Sequence, residues 1–341
     1  MSSKFSENKI EKINSKHLLM KKFKKKFFKQ IIWTVVFIFI HLSAISGLYF
    51  VFTSAKIITT IFSYILFLLG KFGINAGAHR LWSHNAYKAN FLLRVILMFF
   101  STLANQNSIW KWAKDHRAHH KYMETKTDSC NSVYGFFFSH VKLLIFKENK
   151  DTDNIEKHID LQDLETDNVV IFQKKYYVIL VLLVSFILPS IIPVYFWNES
   201  WINAILITIF LRYTIGLYET FFINLVTHND YGRPYDKQIN SSKNYIESLG
   251  ILGGECNNFH YTFPSDYKTS EYYHYMSNWT TGFIKLLEKI GWIYDVNCVS
   301  EQTIKKRCLK TGDGSHEIWG WCDIQQSQEE PEEAIFNTFY T

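Results

Sequence analysis

The stretch IIWTVVFIFIHLSAISGLYFVFTSAKIITTIFSYILFLLGKFGINAGAHRLWSH, residues 31–84, decides the fold. It holds two long apolar runs, Ile31–Phe52 and Ile57–Ile74, parted only by Thr53 to Lys56. Crossing a bilayer takes about 20 apolar residues as a helix. Two such runs with so short a link predict a tight transmembrane hairpin. A second pair follows at Tyr177–Trp197 and Ile202–Val226, joined by Asn198 to Trp201. The expectation is an all-α integral membrane protein with four transmembrane helices in two hairpins.

Working outward, ten lysines lie between Lys4 and Lys29, immediately before the first apolar run. A basic run can be a nucleic-acid arm. Its junction with Ile31 favours the membrane reading instead, because lysines flanking a span mark its cytosolic end. Two hairpins then leave both termini and the central stretch on the cytosolic side, where about half the chain forms a helical cap. Phe91–Leu103 is apolar but short, and reads as an interfacial or re-entrant helix. Phe136–Phe146, which contains His140 and Lys142, reads as interfacial too. The apolar run at Ile31 is too long and starts too far in for a cleavable leader. Asn198-Glu199-Ser200 is a glycosylation sequon set very close to the membrane.

The 341 residues are 48% hydrophobic and 17% aromatic, with 29 Phe and 20 Tyr, which excludes a disordered chain. The net charge is +6, and Glu329 to Glu333 make an acidic tail. Five cysteines without paired spacing read as reduced thiols rather than disulfides or a zinc finger.

The 13 histidines cluster. His79 and His84 follow the second run in HRLWSH. His116, His119 and His120 stand in HRAHH, a helical i, i+3, i+4 spacing that turns three imidazoles to one face. His228 follows the fourth run, with Asn224 one turn earlier, and His260 lies in NNFHY. All leave the membrane on the same side. His79 and His84, five apart, share a face less neatly on an α-helix. Imidazole suits iron, zinc, copper and nickel. So many histidines exceed one tetrahedral ion, which points to two metals. His17, His41, His158, His274 and His316 read as ordinary, and His140 as structural.

At this point the chain resembles the stearoyl-type membrane acyl-CoA desaturases, from about Trp33 to His316. The match is carried by GINAGAHRLWSH (73–84), WAKDHRAHHKYMET (112–125), GFFFSH (135–140), YGRPYDK (231–237), TFPSDY (262–267) and KTGDGSH (310–316). It divides the chain into a basic segment 1–30, a desaturase domain 31–316 and an acidic tail 317–341. The resemblance implies two iron ions held by nine histidines and a water on an asparagine. Seven histidines carry over: His79, His84, His116, His119, His120, His228 and His260, with Asn224 as the water-holding residue. The third box departs, since Asn257 and Tyr261 stand where two more histidines are expected. Neither Glu255 nor Cys256 has the spacing of the missing ligand.

The resemblance also implies an acyl-CoA head-group surface at Asn107, Lys114, Asp115 and Lys147, with Glu148 reversing one usual cation. Phe221 stands for a tryptophan of the acyl channel. Lys71 lies two turns before His79 in an apolar run, where it would either shorten an acyl tunnel or face a polar gap. Implied further are O2-dependent formation of a Δ9 cis double bond, electrons from cytochrome b5 and its reductase, residence in the endoplasmic reticulum membrane, and contacts with lipid and other copies or partner desaturases. No nucleic-acid role is expected. The altered box leaves two alternatives open: a different lipid oxidation, or a catalytically impaired relative that binds acyl-CoA or partner desaturases.

Overall fold

The computed structural model describes residues 2–122, 159–226, 232–239, 257–271, 278–316 and 318–320. Helix α1 (Ser2–Thr53) carries the backbone of the basic segment straight into the first span. After a turn at Ser54 and Ala55, whose amides both donate to the Phe50 carbonyl, α2 (Ile57–Phe72) returns. The second hairpin is built from α6 (Asn168–Val181), α7 (Leu188–Trp197), α8 (Trp201–Ile205) and α9 (Arg212–Val226). Between these come α3 (Phe91–Ala104), α4 (Ile109–Tyr122) and α5 (Gln162–Thr166). Beyond them lie α10 (Asn257–Thr262), α11 (Trp279–Lys289) and α12 (Glu301–Thr311). Among the described residues, four helices are long and apolar enough to cross a bilayer: Gln30–Thr53, Ile57–Ser83, Asn168–Trp197 and Trp201–Glu219.

Two spans are longer than hydropathy alone suggests. The second continues past Ile74 as a π-helical stretch, Gly73–Ser83. The third starts at Asn168, where the Asp167 carboxylate accepts from the amides of Val169 and Val170 as an N-cap. Polar Gln173 hides that start in the sequence. In the fold it is fully buried and useful, accepting from the Ile109 amide at 2.8 Å and donating to Thr102 Oγ1 at 3.0 Å. Further π-helical turns, Leu182–Ile187 and Leu206–Leu211, join α6 to α7 and α8 to α9.

In hydrocarbon every backbone polar group must find a partner inside the protein. Arg212 meets that demand for the second hairpin and α3 together. Its guanidinium donates to the carbonyls of Thr208 (2.6 Å), Leu103 (2.8 Å) and Ser185 (3.1 Å). At the opposite end of the bundle buried Glu199 ties the two hairpin turns. It accepts from Thr59 Oγ1 at 2.5 Å, the Lys56 amide at 2.9 Å and Asn203 Nδ2 at 3.0 Å. Asn198, the sequon residue, adopts a left-handed conformation (φ 53°) that closes α7. Inside the bundle Lys71 pairs with Glu219 of α9, their side chains 10% and 19% exposed. Lys71 therefore faces a counter-charge on the fourth span, as intramembrane charges generally do, and its attraction to Glu219 offsets part of the desolvation cost.

Small residues let the site-bearing stretch approach its neighbours. A Cβ at Gly73 would lie 2.3 Å from the Phe100 carbonyl carbon, so α3 packs directly on the start of the π-helical stretch. Among the described residues, one short antiparallel bridge joins β1 (Lys88–Ala89) to β2 (Ile293–Tyr294). It fastens the chain beyond His84 to the C-terminal third. Phe136–Phe146 lies outside the described residues.

Candidate metal centre

The π-helical stretch resolves the awkward spacing of the first box. In a π-helix the backbone bond runs from i to i+5, so residues five apart come into line. The His84 amide donates to the His79 carbonyl at 3.1 Å, and the two imidazole centroids lie 4.9 Å apart. Helix α4 brings the second box against the first. His116 sits 2.8 Å from His84, Nε2 to Nε2, and 3.1 Å from His120. Helix α10 adds His260, whose Nε2 is 3.0 Å from that of His79. One nitrogen from each of His79, His84, His116, His120 and His260 falls within 4.8 Å of all the others.

Two contacts fix this geometry that the sequence did not single out. Arg117, within HRAHH, donates to the carbonyls of Ser83 (3.0 Å) and Trp82 (2.7 Å). It also forks onto the Asp163 carboxylate at 2.8 and 2.5 Å. This clamp holds α4 to the C-terminal end of the π-helical stretch and to α5. Trp112, one turn before His116, stacks on it with centroids 4.9 Å apart and planes 21° from parallel. The i, i+4 spacing of Trp112 and His116 was the available signal.

The five rings suit a cation. A neutral imidazole has one N–H and one lone pair. Yet His116 Nε2 faces both His84 and His120. A metal ion that takes the converging lone pairs removes the conflict. Burial, reinforced by charge on His79, holds His116 and His260 far below the ordinary imidazole range, and does the same for His84. These rings stay neutral, the form that ligates metal.

The other expected residues divide. His119 lies beside the cluster, its ring centroid 5.8 Å from that of His120, and its Nε2 is 3.1 Å from the Tyr261 hydroxyl. Tyr261 therefore points at the site, with its ring 5.2 Å from His120. Asn257 opens α10. Asn224 and Phe221 lie in the last turns of α9. His228, Lys147, Glu148, His140, Glu255 and Cys256 fall outside the described residues. Of the residues expected to meet a head group, the Lys114 ammonium sits 5.3 Å over the Trp110 ring, and the Asp115 carboxylate accepts from Lys111 at 2.5 Å. Asn107 is exposed in a left-handed turn (φ 73°). His316, read as ordinary, is buried 2.7 Å from Glu271, away from the cluster.

No family model matches the chain. Individual proteins do. It is 48% identical over 317 residues to the Acyl-CoA Delta-9 desaturase of Acheta domesticus, covering 92% of this chain and 88% of that one. To the Acyl-CoA Delta12-desaturase of the same animal it is 45% identical over 305 residues, covering 89% and 85%. To the Stearoyl-CoA desaturase of Mesocricetus auratus it is 42% identical over 276 residues, covering 81% and 77%. With four membrane-crossing helices, a histidine cluster at the end of one of them and this identity over most of both chains, the protein belongs to the membrane acyl-CoA desaturases.

Proposed function

We propose that this protein introduces a cis double bond at the Δ9 position of a saturated fatty acyl-CoA. In this reading it works in the endoplasmic reticulum membrane with its cap and both termini in the cytosol. Cytochrome b5 and its NADH-dependent reductase supply the electrons. The observation that carries the reading is the set of five imidazoles converging at the end of a spanning helix, where a lipid chain and a polar head group can meet one site. The Δ9 position leans on the printed name of the 48%-identical relative. A 45%-identical relative is named for Delta(11), so position is the finer point to test.

Two hydrogens leave adjacent methylenes, and O2 with two electrons and two protons becomes two waters. His79, His84, His116, His120 and His260 would hold one iron. His119, His228 and Asn224, the last through a water, would hold a second, with Tyr261 and Asn257 in the places of further ligands. Bound iron supplies the oxygen activation that an unactivated methylene demands. The chain's own residues position and exclude. Trp112 and Arg117 fix the ring planes and the helix that carries them. Asn107, Lys114, Asp115 and Lys147 would bind the CoA head group, and Phe221 would line the acyl path. Lys114 supplies charge without the bidentate fork of an arginine.

A second reading is supported by one contact. The Tyr261 hydroxyl bonds the ring of His119, engaging a nitrogen that a second metal would need. It describes a catalytically impaired desaturase that keeps acyl-CoA or partner-desaturase binding. The deciding experiment gives stearoyl-CoA, NADH, cytochrome b5 and reductase to the protein in nanodiscs, and locates any double bond by mass spectrometry. The proposal expects a Δ9 product. A bond elsewhere corrects the position, and no product from iron-loaded protein favours the impaired reading.

A further inference from the structure

Helix α11 has three sectors rather than two. Thr280, Thr281, Ile284 and Leu287 are buried against the fold. Lys285, Glu288 and Lys289 make a charged sector beside the buried one, Lys285 half-buried and the other two exposed. Between them runs a third stripe, Trp279, Phe283, Leu286 and, at the helix end, Ile290, which are 61%, 41%, 55% and 56% exposed. Steps of four, three and four residues place all four on one narrow face. A contiguous open stripe of large apolar side chains marks an interaction surface.

What covers it is indicated by its neighbours. The Phe283 ring meets Phe72 edge-on at 4.7 Å, and Phe72 belongs to the helix that crosses the membrane. Phe72 also meets Phe100 of α3, and α3 leaves Phe91, Leu92 and Phe99 exposed. The stripe thus continues the apolar surface of a spanning helix and of the helix packed on it. A protein partner there would have to share that edge with lipid.

We infer that α11 is an interfacial helix that seats the cap on the bilayer. Its stripe faces the boundary between acyl chains and head groups, and the exposed ammonium of Lys289, on the flank, reaches lipid phosphate. The seat is mechanically linked to the metal cluster. Thr281, on the buried sector, accepts from Arg80 at 3.5 Å, and Arg80 follows His79. The bilayer under α11 therefore braces the helix that carries the first box. This inference stands on packing and exposure and does not depend on which reaction the protein performs.

The test uses the full chain in phosphatidylcholine vesicles, with the photoreactive residue p-benzoylphenylalanine placed at Leu286 or, as the control across the helix, at Glu288. After irradiation the peptide containing position 286 should carry a lipid adduct and the one containing 288 should not. No lipid adduct at 286, or equal adducts at both, overturns the inference. So does crosslinking at 286 to another protein in native membranes in place of lipid, which would assign the stripe to a protein partner. Unmodified protein gives an independent reading by hydroxyl-radical oxidation in nanodiscs. Trp279 should be protected as fully as Phe52 of the first span, and oxidation in proportion to its exposure in the bare protein contradicts the seat.

Discussion

His260 and Tyr261 are consecutive on α10, yet they face two different neighbourhoods. His260 is buried and completes a ring of five imidazoles whose nitrogens lie within 4.8 Å of each other. Tyr261 faces His119 and closes a hydrogen bond at 3.1 Å where the family pattern has another imidazole. Helix α10 keeps its place because Asn258, two residues before His260, is anchored on both sides. Its carbonyl oxygen accepts from the Tyr235 amide at 3.0 Å, and its amide donates to the Asp236 carbonyl at 3.1 Å. The contrast shows that one short helix delivers a buried imidazole to the five-ring cluster and, one residue later, a phenol to the neighbouring His119.

The contrast breaks most visibly at His116, which contacts both His84 and His120. His116→Ala should weaken metal binding by more than about 100-fold, since losing even outer-shell partners costs about 10–100-fold. Metal titration followed by elemental analysis checks this, and retention of metal at the unmodified level would mean the five-ring cluster is not the site. The other side is sharpened by Asn257→His with Tyr261→His. This double variant should raise metal content toward two ions per chain and raise any desaturation rate by about 10-fold or more. An unchanged metal content would show that the altered box is not what limits the site. Trp112→Ala removes the plane that orients His116 and should cost about 10-fold in metal affinity, while Trp112→Phe keeps most of it. The smallest effect belongs to Tyr261→Phe. It deletes one hydrogen bond to His119, worth about 0.5–1.5 kcal/mol, and should leave metal in the five-histidine cluster unchanged. A loss of that metal would join the two neighbourhoods into one.

The architecture was legible where physics is one-dimensional. Apolar runs of span length announced both hairpins, because a bilayer imposes length and hydrophobicity together. The register of the second span past Ile74 was not legible. Gly73 and Gly77 carry little hydropathy signal, and their value lies in close approach to α3 and in a π-helical pitch. That same pitch explains why His79 and His84 looked less well matched in sequence than they are in space. HRAHH was readable by its helical spacing, but the clamp between Arg117 and Asp163 joins residues 46 apart in the chain and leaves no periodic trace. Lys71 looked costly inside an apolar run because its partner Glu219 lies two spans later.

The central claim is that the five converging histidines hold a metal ion. It is tested most directly by elemental analysis of the full-length protein, purified from iron-replete cells in nanodiscs and dialysed, beside His116→Ala prepared in the same way. Iron should be bound to the unmodified protein and lost from the variant. Unmodified protein that emerges without metal, or a variant that keeps as much iron, would contradict it.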